Sequence, residues 1–173
     1  MKLISKGFLL SLGLFLILTA GFIEPVKATH MMGSDITWTC IGQDSFMIKV
    51  VIYRDCNGVQ LSAASVPIKC AATGQSITTV SIAKPAPVDI TPTCGASCTR
   101  CQSSSCSFPY GIEQYTFQKL VVLSSAGSCC EVVISYTMCC RNSTITTGGA
   151  NANFFVDAKL NRCITPCDNS PSF

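Results

Sequence analysis

The 173-residue sequence is poor in the side chains that enzymes most often use for acid–base and nucleophilic chemistry. It has one histidine, His30, and only 12 % of its residues are charged. A Ser-His-Asp or Cys-His relay would have to use His30, which follows a predicted leader, in a region where chains are usually poorly ordered. The acidic residues are scattered, and no two have a spacing that implies shared acid–base work. We therefore expect that the protein is not an enzyme; a hydrolase that uses His30 is the enzymatic alternative.

The sequence also lacks a calcium-binding loop, a phosphate-binding glycine-rich motif and an excess of charge of either sign. Without the first 28 residues, nine basic and eight acidic residues remain, which gives a net charge near +1. A nucleic-acid-binding protein would carry a basic patch or stripe. We expect no nucleic-acid partner and no cofactor.

Only one long apolar run is present in the sequence, and it lies at the N-terminus. Lys2 and Lys6 form a positive n-region, residues 8–23 are almost all apolar, and Val26-Lys27-Ala28 offers a cleavage signal. We interpret residues 1–28 as a signal peptide that is removed; an uncleaved membrane anchor is the alternative. The mature chain would then be exported to the extracellular space, the cell surface or the periplasm, with no membrane segment.

Cysteine is the residue that the chain has in excess. The 145 residues after the leader hold all 13 cysteines, about 9 %, a content typical of a disulfide scaffold in an exported chain. The count is odd, so at least one cysteine is free or pairs with another chain, and spacing alone does not determine the connectivity. The candidates for structural disulfides are Cys40, Cys56, Cys70, Cys94, Cys98, Cys101, Cys106, Cys129, Cys130, Cys139, Cys140, Cys163 and Cys167.

Alternation of apolar and polar residues predicts about seven β-strands and no helix after the leader. Turn signals such as Asn57-Gly58 separate the strands. We predict an all-β fold, a disulfide-stapled antiparallel β-sandwich of immunoglobulin-like build over residues 29–168, followed by a tail at 169–173. The predicted strands cover residues 34–41, 45–54, 65–71, 75–82, 112–123, 129–142 and 153–160.

The strand at 129–142 carries a pair of adjacent cysteines at each end, and we expect the rest of the fold to be organised around it. Adjacent side chains on a strand point to opposite faces, so we expect that neither pair forms a bond within itself. Trp38 is predicted to anchor the core, and Phe155 and Leu160 are predicted to be buried. The core-facing set of the long strand is predicted to be Cys130, Val132, Ile134, Tyr136, Met138 and Cys140.

Two short signatures combine arginine with cysteine at a strand end, Tyr53-Arg54-Asp55-Cys56 and Cys139-Cys140-Arg141-Asn142. The structural interpretation is a fixed corner in which a disulfide joins strand ends and Asp55 forms an ion pair with Arg141. The functional alternative is a rim that uses arginine and tyrosine to contact a ligand.

The segment from Cys94 to Cys106 holds four cysteines in a stretch without periodicity. Only Cys98 and Cys101 have the C-x2-C spacing of a zinc knuckle, and an oxidising compartment favours disulfides over thiolates. We expect local disulfides and no metal. A thiol-redox or metal-binding protein acting through this segment is the alternative function.

Three segments together resemble a known family. They are His-Met-Met-Gly-Ser-Asp-Ile-Thr-Trp-Thr-Cys at 30–40, Val-Ile-Tyr-Arg-Asp-Cys at 51–56 and Cys-Cys-Arg-Asn-Ser-Thr-Ile at 139–145. The sequence is similar to the N-terminal immunoglobulin-like module of gliding-motility-associated or PKD-domain surface proteins, which gliding bacteria export by type IX secretion. The resemblance implies a non-enzymatic module of an adhesin-like protein with a structural or adhesive role. Its partner would be an extracellular ligand, a glycan, a surface or a protein, and the odd cysteine offers an intermolecular disulfide.

Overall fold

The structure, a computed structural model, describes residues 30–92, 98–108, 110–142 and 152–171 and is an all-β fold. Each of the seven predicted strands has a counterpart, and the structure adds a two-residue strand, Val88–Asp89, that is not among the predicted ones. Over the described residues, no helix is long and apolar enough to cross a bilayer. The elements are β1 (Met31–Gly42), β2 (Ser45–Asp55), β3 (Ala64–Cys70), β4 (Ser76–Ile82), β5 (Val88–Asp89), β6 (Ile112–Val122), a 3-10 turn (Ser124–Ala126), β7 (Glu131–Cys139) and β8 (Asn153–Asn161).

The strands form two antiparallel four-stranded sheets that face each other across one core. One sheet has the order β1-β2-β6-β5 and the other has the order β4-β3-β7-β8. These orders are those of the immunoglobulin ABED sheet and of a CFG sheet with an added C′ strand. The predicted immunoglobulin-like β-sandwich is therefore confirmed. The predicted signal peptide lies outside the described residues.

The core is built from the inward faces of β2 and β7, as the alternation predicts. On β2, Phe46, Ile48, Val50 and Ile52 are each at most 1 % exposed. Full burial of each such side chain stabilises the folded state by roughly 1.5–3 kcal/mol. On β7, the face that points into the core carries Val132, Ile134 and Tyr136, which are each at most 2 % exposed.

Two predictions about individual side chains are wrong, and a third, for Trp38, is met only in part. Phe155 is 57 % exposed, whereas Leu160 is buried as predicted. The pairing of β8 with β7 aligns Phe154 with Met138 and Leu160 with Val132, so the even-numbered residues of β8 face inward. Trp38 packs against the core as predicted but is only half-buried, because β1 is the edge strand of its sheet. Cys130 is exposed, because β7 begins one residue later and the alternation does not extend to it.

Six disulfides pair twelve of the thirteen cysteines: Cys40–Cys167, Cys56–Cys101, Cys70–Cys129, Cys98–Cys106, Cys130–Cys163 and Cys139–Cys140. The thirteenth, Cys94, lies outside the described residues. The first cysteine pair of the long strand sends its bonds in two directions, as expected.

The second cysteine pair of the long strand contradicts the expectation, because Cys139 and Cys140 are bonded to each other. The physical reason is that β7 ends at Cys139. Cys140 lies beyond the pleated strand, and the alternation that would hold the two side chains apart no longer applies.

Candidate functional site

The free edge of β1 is partly covered by the segment that follows β8. The disulfide Cys40–Cys167 anchors this segment to β1. The Ser170 backbone N–H donates to the carbonyl of Trp38 at 3.0 Å, and the Trp38 N–H donates to Ser170 Oγ at 3.0 Å. The Cys40 N–H donates to Asn169 Oδ1 at 2.8 Å. Asn169 and Ser170, which the sequence analysis assigned to a tail, therefore belong to the edge of this sheet.

An open groove of about 940 Å³ runs along this edge, between β1, β8 and the Asn169–Pro171 segment, and onto the outer face of the β1-β2 hairpin. We call this space the β1 groove. Its lining combines an indole, a phenol, hydroxyls, amides and charges of both signs with six apolar residues, Ile36, Met47, Val51, Val156, Ala158 and Pro171. The polar and aromatic lining includes Ser34, Asp35, Trp38, Lys49, Tyr53, Gln114, Gln118 and Asp157.

Two hydrogen-bond donors in the β1 groove have no partner in the described part of the chain. Ser34 Oγ and Trp38 Nε1 are both buried and unpaired. Both residues lie on the same face of β1, because they pair with Ile52 and Ile48, two inward-facing residues of β2. Leaving a buried polar group unpaired costs about 1–3 kcal/mol, so such a group calls for an explanation. A ligand that accepts hydrogen bonds would supply the missing partners.

A contrasting cluster of polar groups surrounds Arg54, whose side chain is 1 % exposed. Its Nε and Nη2 donate to Glu113 Oε2 at 3.2 and 2.5 Å, and its Nη1 donates to the carbonyl of Gly58 at 2.6 Å. The hydroxyl of Tyr115 donates to the same Glu113 oxygen at 3.0 Å, and the guanidinium carbon lies 6.0 Å from the Tyr115 ring centroid. Burial and the neighbouring Glu113 carboxylate raise the pKa of Tyr115. This geometry favours the structural interpretation of the Tyr53–Cys56 signature, because Arg54 is buried among partners.

The predicted pair of Asp55 and Arg141 is not among the salt bridges of the described residues. Asp55 is fully buried, and its carboxylate accepts hydrogen bonds from Asn142 Nδ2 at 3.2 Å and from the Asn57 N–H at 2.9 Å. The Arg141 guanidinium carbon instead lies 6.0 Å from the ring centroid of Phe154. Successive residues of an extended segment point to opposite sides, so the residue after Arg141 reaches Asp55.

His30 lies near Asp55 without a hydrogen bond. The distance from His30 Nδ1 to Asp55 Oδ2 is 3.8 Å, which is longer than a hydrogen bond, and Nδ1 has no hydrogen-bond partner among the described residues. The structure therefore brings together a histidine and a carboxylate but shows no hydrogen-bonded relay through Nδ1.

The disulfide-rich loop contains three described members of the predicted cysteine set. Cys98 is bonded to Cys106, and Cys101 is bonded to Cys56. Cys94 lies outside the described residues, and within them no group of three or more His, Cys, Asp or Glu side chains is placed to hold a metal ion. Gly111 packs against this staple so closely that a Cβ at that position would lie 2.5 Å from Cys101 Sγ. Three of the four sulfurs in the alternative thiol or metal site are thus in disulfides.

Comparison of the chain with protein-family models, with curated proteins and with solved structures finds no match in any of the three. The functional interpretation therefore depends on the geometry of the β1 groove and on the disulfides.

Proposed function

We propose that the protein is a non-enzymatic, exported β-sandwich module of a cell-surface or secreted adhesin-like protein, and that the β1 groove binds its extracellular ligand. The observation that supports this most directly is the pair of unpartnered donors, Ser34 Oγ and Trp38 Nε1, inside the groove. The resemblance to surface proteins of gliding bacteria supports the adhesive role. Six disulfides agree with an oxidising compartment outside the cytoplasm.

The chemistry of the groove favours a glycan as the ligand. Sugar hydroxyls accept hydrogen bonds from the two unpaired donors and donate to carboxylates such as Asp35 and Asp157, which also line the groove. On the outer face of the β1-β2 hairpin, opposite to the inward face that carries Ser34 and Trp38, the ring of Tyr53 offers an apolar surface with a polar tip. Ser34 and Trp38 are four residues apart on a strand, a distance of about 13 Å, so a ligand that satisfies both must be extended. An oligosaccharide meets this requirement and a single small molecule does not.

A glycan array probed with the purified, oxidised protein tests the proposal. The protein is expected to bind a defined set of glycans, and the best of these is then titrated calorimetrically. Trp38→Phe keeps an aromatic ring and removes the N–H, and Ser34→Ala removes the hydroxyl. Each variant is expected to weaken binding by about tenfold, the effect of losing one hydrogen bond of about 1.4 kcal/mol.

Ser62→Ala is the matched control, because Ser62 is exposed in the loop between β2 and β3 and does not line the groove. It is expected to bind like the wild type. If Trp38→Phe, Ser34→Ala and Ser62→Ala all bound with equal affinity, the binding site would lie outside the β1 groove. Binding to proteins alone, with no glycan retained, would contradict the ligand class.

A further inference from the structure

The bond between Cys139 and Cys140 differs from the other five disulfides in what it connects. The other bonds join residues 127, 45, 59, 8 and 33 positions apart, whereas this one joins immediate neighbours. In the chain-entropy model a disulfide stabilises a fold by closing a loop in the unfolded chain, and more so for longer loops. A bond between neighbours closes almost no loop, so stapling the fold does not explain it.

Covalent geometry also sets this disulfide apart. Consecutive Cα atoms are at most about 3.8 Å apart, whereas disulfides usually join Cα atoms about 4.4–6.8 Å apart. Any disulfide between adjacent residues therefore departs from the usual geometry, and such departures make a disulfide easier to reduce. The other five have Cα separations from 5.0 to 5.9 Å, within the usual range.

The pair is accessible to an external thiol and has a cationic residue next to it in the sequence. Cys139 is exposed and Cys140 is half-buried. The next residue, Arg141, takes part in none of the salt bridges among the described residues, so a carboxylate does not neutralise its charge. A positive charge close to a cysteine favours the thiolate as a leaving group, and Arg141 is the cation adjacent to the pair in the sequence.

The backbone beside the pair is held independently of the sulfurs. The Met31 N–H donates to the carbonyl of Cys140 at 3.1 Å, and the Asn142 N–H donates to the carbonyl of Met31 at 3.0 Å. The segment after Cys139 is thus tied to β1 whether the bond is closed or open. The two thiols would remain neighbours after reduction and could be reoxidised.

We propose that Cys139–Cys140 is a reversible thiol–disulfide exchange site that accepts two electrons from an extracytoplasmic dithiol. A thiolate of the dithiol attacks Sγ of Cys139, the bond between the two sulfurs breaks, and Cys140 leaves as a thiolate. The second thiolate of the dithiol then attacks the first sulfur of the dithiol, which is bonded to Cys139 in the mixed disulfide, and Cys139 leaves as a thiolate. The dithiol becomes a disulfide, and the two cysteine thiolates take up two protons. This activity is independent of ligand binding in the β1 groove.

Graded reduction of the intact oxidised protein tests the proposal. Samples are equilibrated with increasing dithiothreitol, the thiols are alkylated, and the labelled peptides are quantified by mass spectrometry. Cys130–Cys163 is the internal control, because both of its cysteines are exposed and it closes a loop of 33 residues. Cys139 and Cys140 are expected to be labelled together at a dithiothreitol concentration at least about tenfold lower than Cys130 and Cys163.

Three variants sharpen the result. Cys139→Ser combined with Cys140→Ser is expected to remove the first labelling step and leave the later ones unchanged. Arg141→Gln is expected to slow the exchange rate severalfold, and Arg141→Lys to restore most of it, because the positive charge assists the leaving thiolate. Simultaneous labelling of both disulfides, or a non-reducing peptide map in which either sulfur is bonded elsewhere, would overturn the proposal.

Discussion

Two polar regions of the same sandwich differ in how completely their hydrogen bonds are satisfied. Around Arg54, the guanidinium, the Glu113 carboxylate and the Tyr115 hydroxyl are bonded to one another inside the protein. In the β1 groove, Ser34 Oγ and Trp38 Nε1 are buried without partners in the described residues. A satisfied buried network maintains a fold, whereas an unsatisfied one costs stability, and we propose that a ligand completes the one in the β1 groove. Substitutions in the two regions should therefore separate stability from binding.

The largest effect is expected at Arg54. Arg54→Met leaves Glu113 without its cation and the Gly58 carbonyl without its donor, so we expect the free energy of unfolding to fall by about 3–5 kcal/mol. Lys84→Met is the matched control, because Lys84 is exposed and donates only to exposed Gln60, and it should cost less than about 0.5 kcal/mol. Urea unfolding with disulfides intact measures both. Equal losses would show that the Arg54 cluster does not stabilise the fold.

High pH should destabilise the protein through Tyr136. Burial raises the pKa of Tyr136 to about 12, from an ordinary value of 10.0. The folded state thus keeps the phenol proton more strongly than the unfolded state, so its effect on stability is constant below pH 10 and is lost progressively between pH 10 and 12. The loss is at most about 3 kcal/mol, at 1.36 kcal/mol per pKa unit. Tyr136→Phe should flatten this part of the unfolding-stability profile, and an unchanged slope would contradict the assignment.

Asn142, rather than Arg141, should maintain the corner at Asp55. Asn142→Ala removes a hydrogen bond to a fully buried carboxylate, so we expect a loss of about 1–3 kcal/mol in unfolding free energy. Arg141→Gln should cost about 0.5–1 kcal/mol, the lower part of the range for a cation–π contact, because Arg141 and Phe154 are both half-buried rather than fully desolvated. Thermal unfolding of the two variants distinguishes them. A larger loss for the Arg141 variant than for the Asn142 variant would instead support the ion pair between Asp55 and Arg141 that the sequence predicts.

The smallest effect on stability is expected in the groove. Ser34→Ala deletes a hydroxyl that has no partner among the described residues, so the free energy of unfolding should stay within about 0.5 kcal/mol of wild type or rise slightly. Chemical unfolding measures this change. A loss above about 1 kcal/mol would mean that the hydroxyl is satisfied in solution, and Ser34 would then belong with the stabilising polar groups.

The fold could be predicted because its strands carry a clear period-two pattern, which places Phe46, Ile48, Val50 and Ile52 on one face. The pattern fails where two large apolar residues are adjacent. Phe154 and Phe155 fit either phase of alternation, and only the register of β8 against β7 shows which one is buried.

The site was less accessible to sequence analysis because it depends on contacts between distant residues. Trp38 looks like a core anchor until β1 is known to be an edge strand that pairs with Ser170, 132 residues away. The unpaired donors of Ser34 and Trp38 follow from that packing and have no local signal. The bond between Cys139 and Cys140 depends on where β7 ends, and strand ends are the least certain feature of a sequence-based assignment.

The most direct test that the β1 groove binds a ligand uses the fluorescence of Trp38, the only tryptophan in the chain. The wild-type protein is titrated with the best glycan from the array while tryptophan emission is recorded, and the affinity is compared with the calorimetric value. A saturable change in emission with the same affinity is predicted, because the indole N–H gains a hydrogen bond when the β1 groove is filled. Calorimetric binding without any change in Trp38 emission would contradict the account.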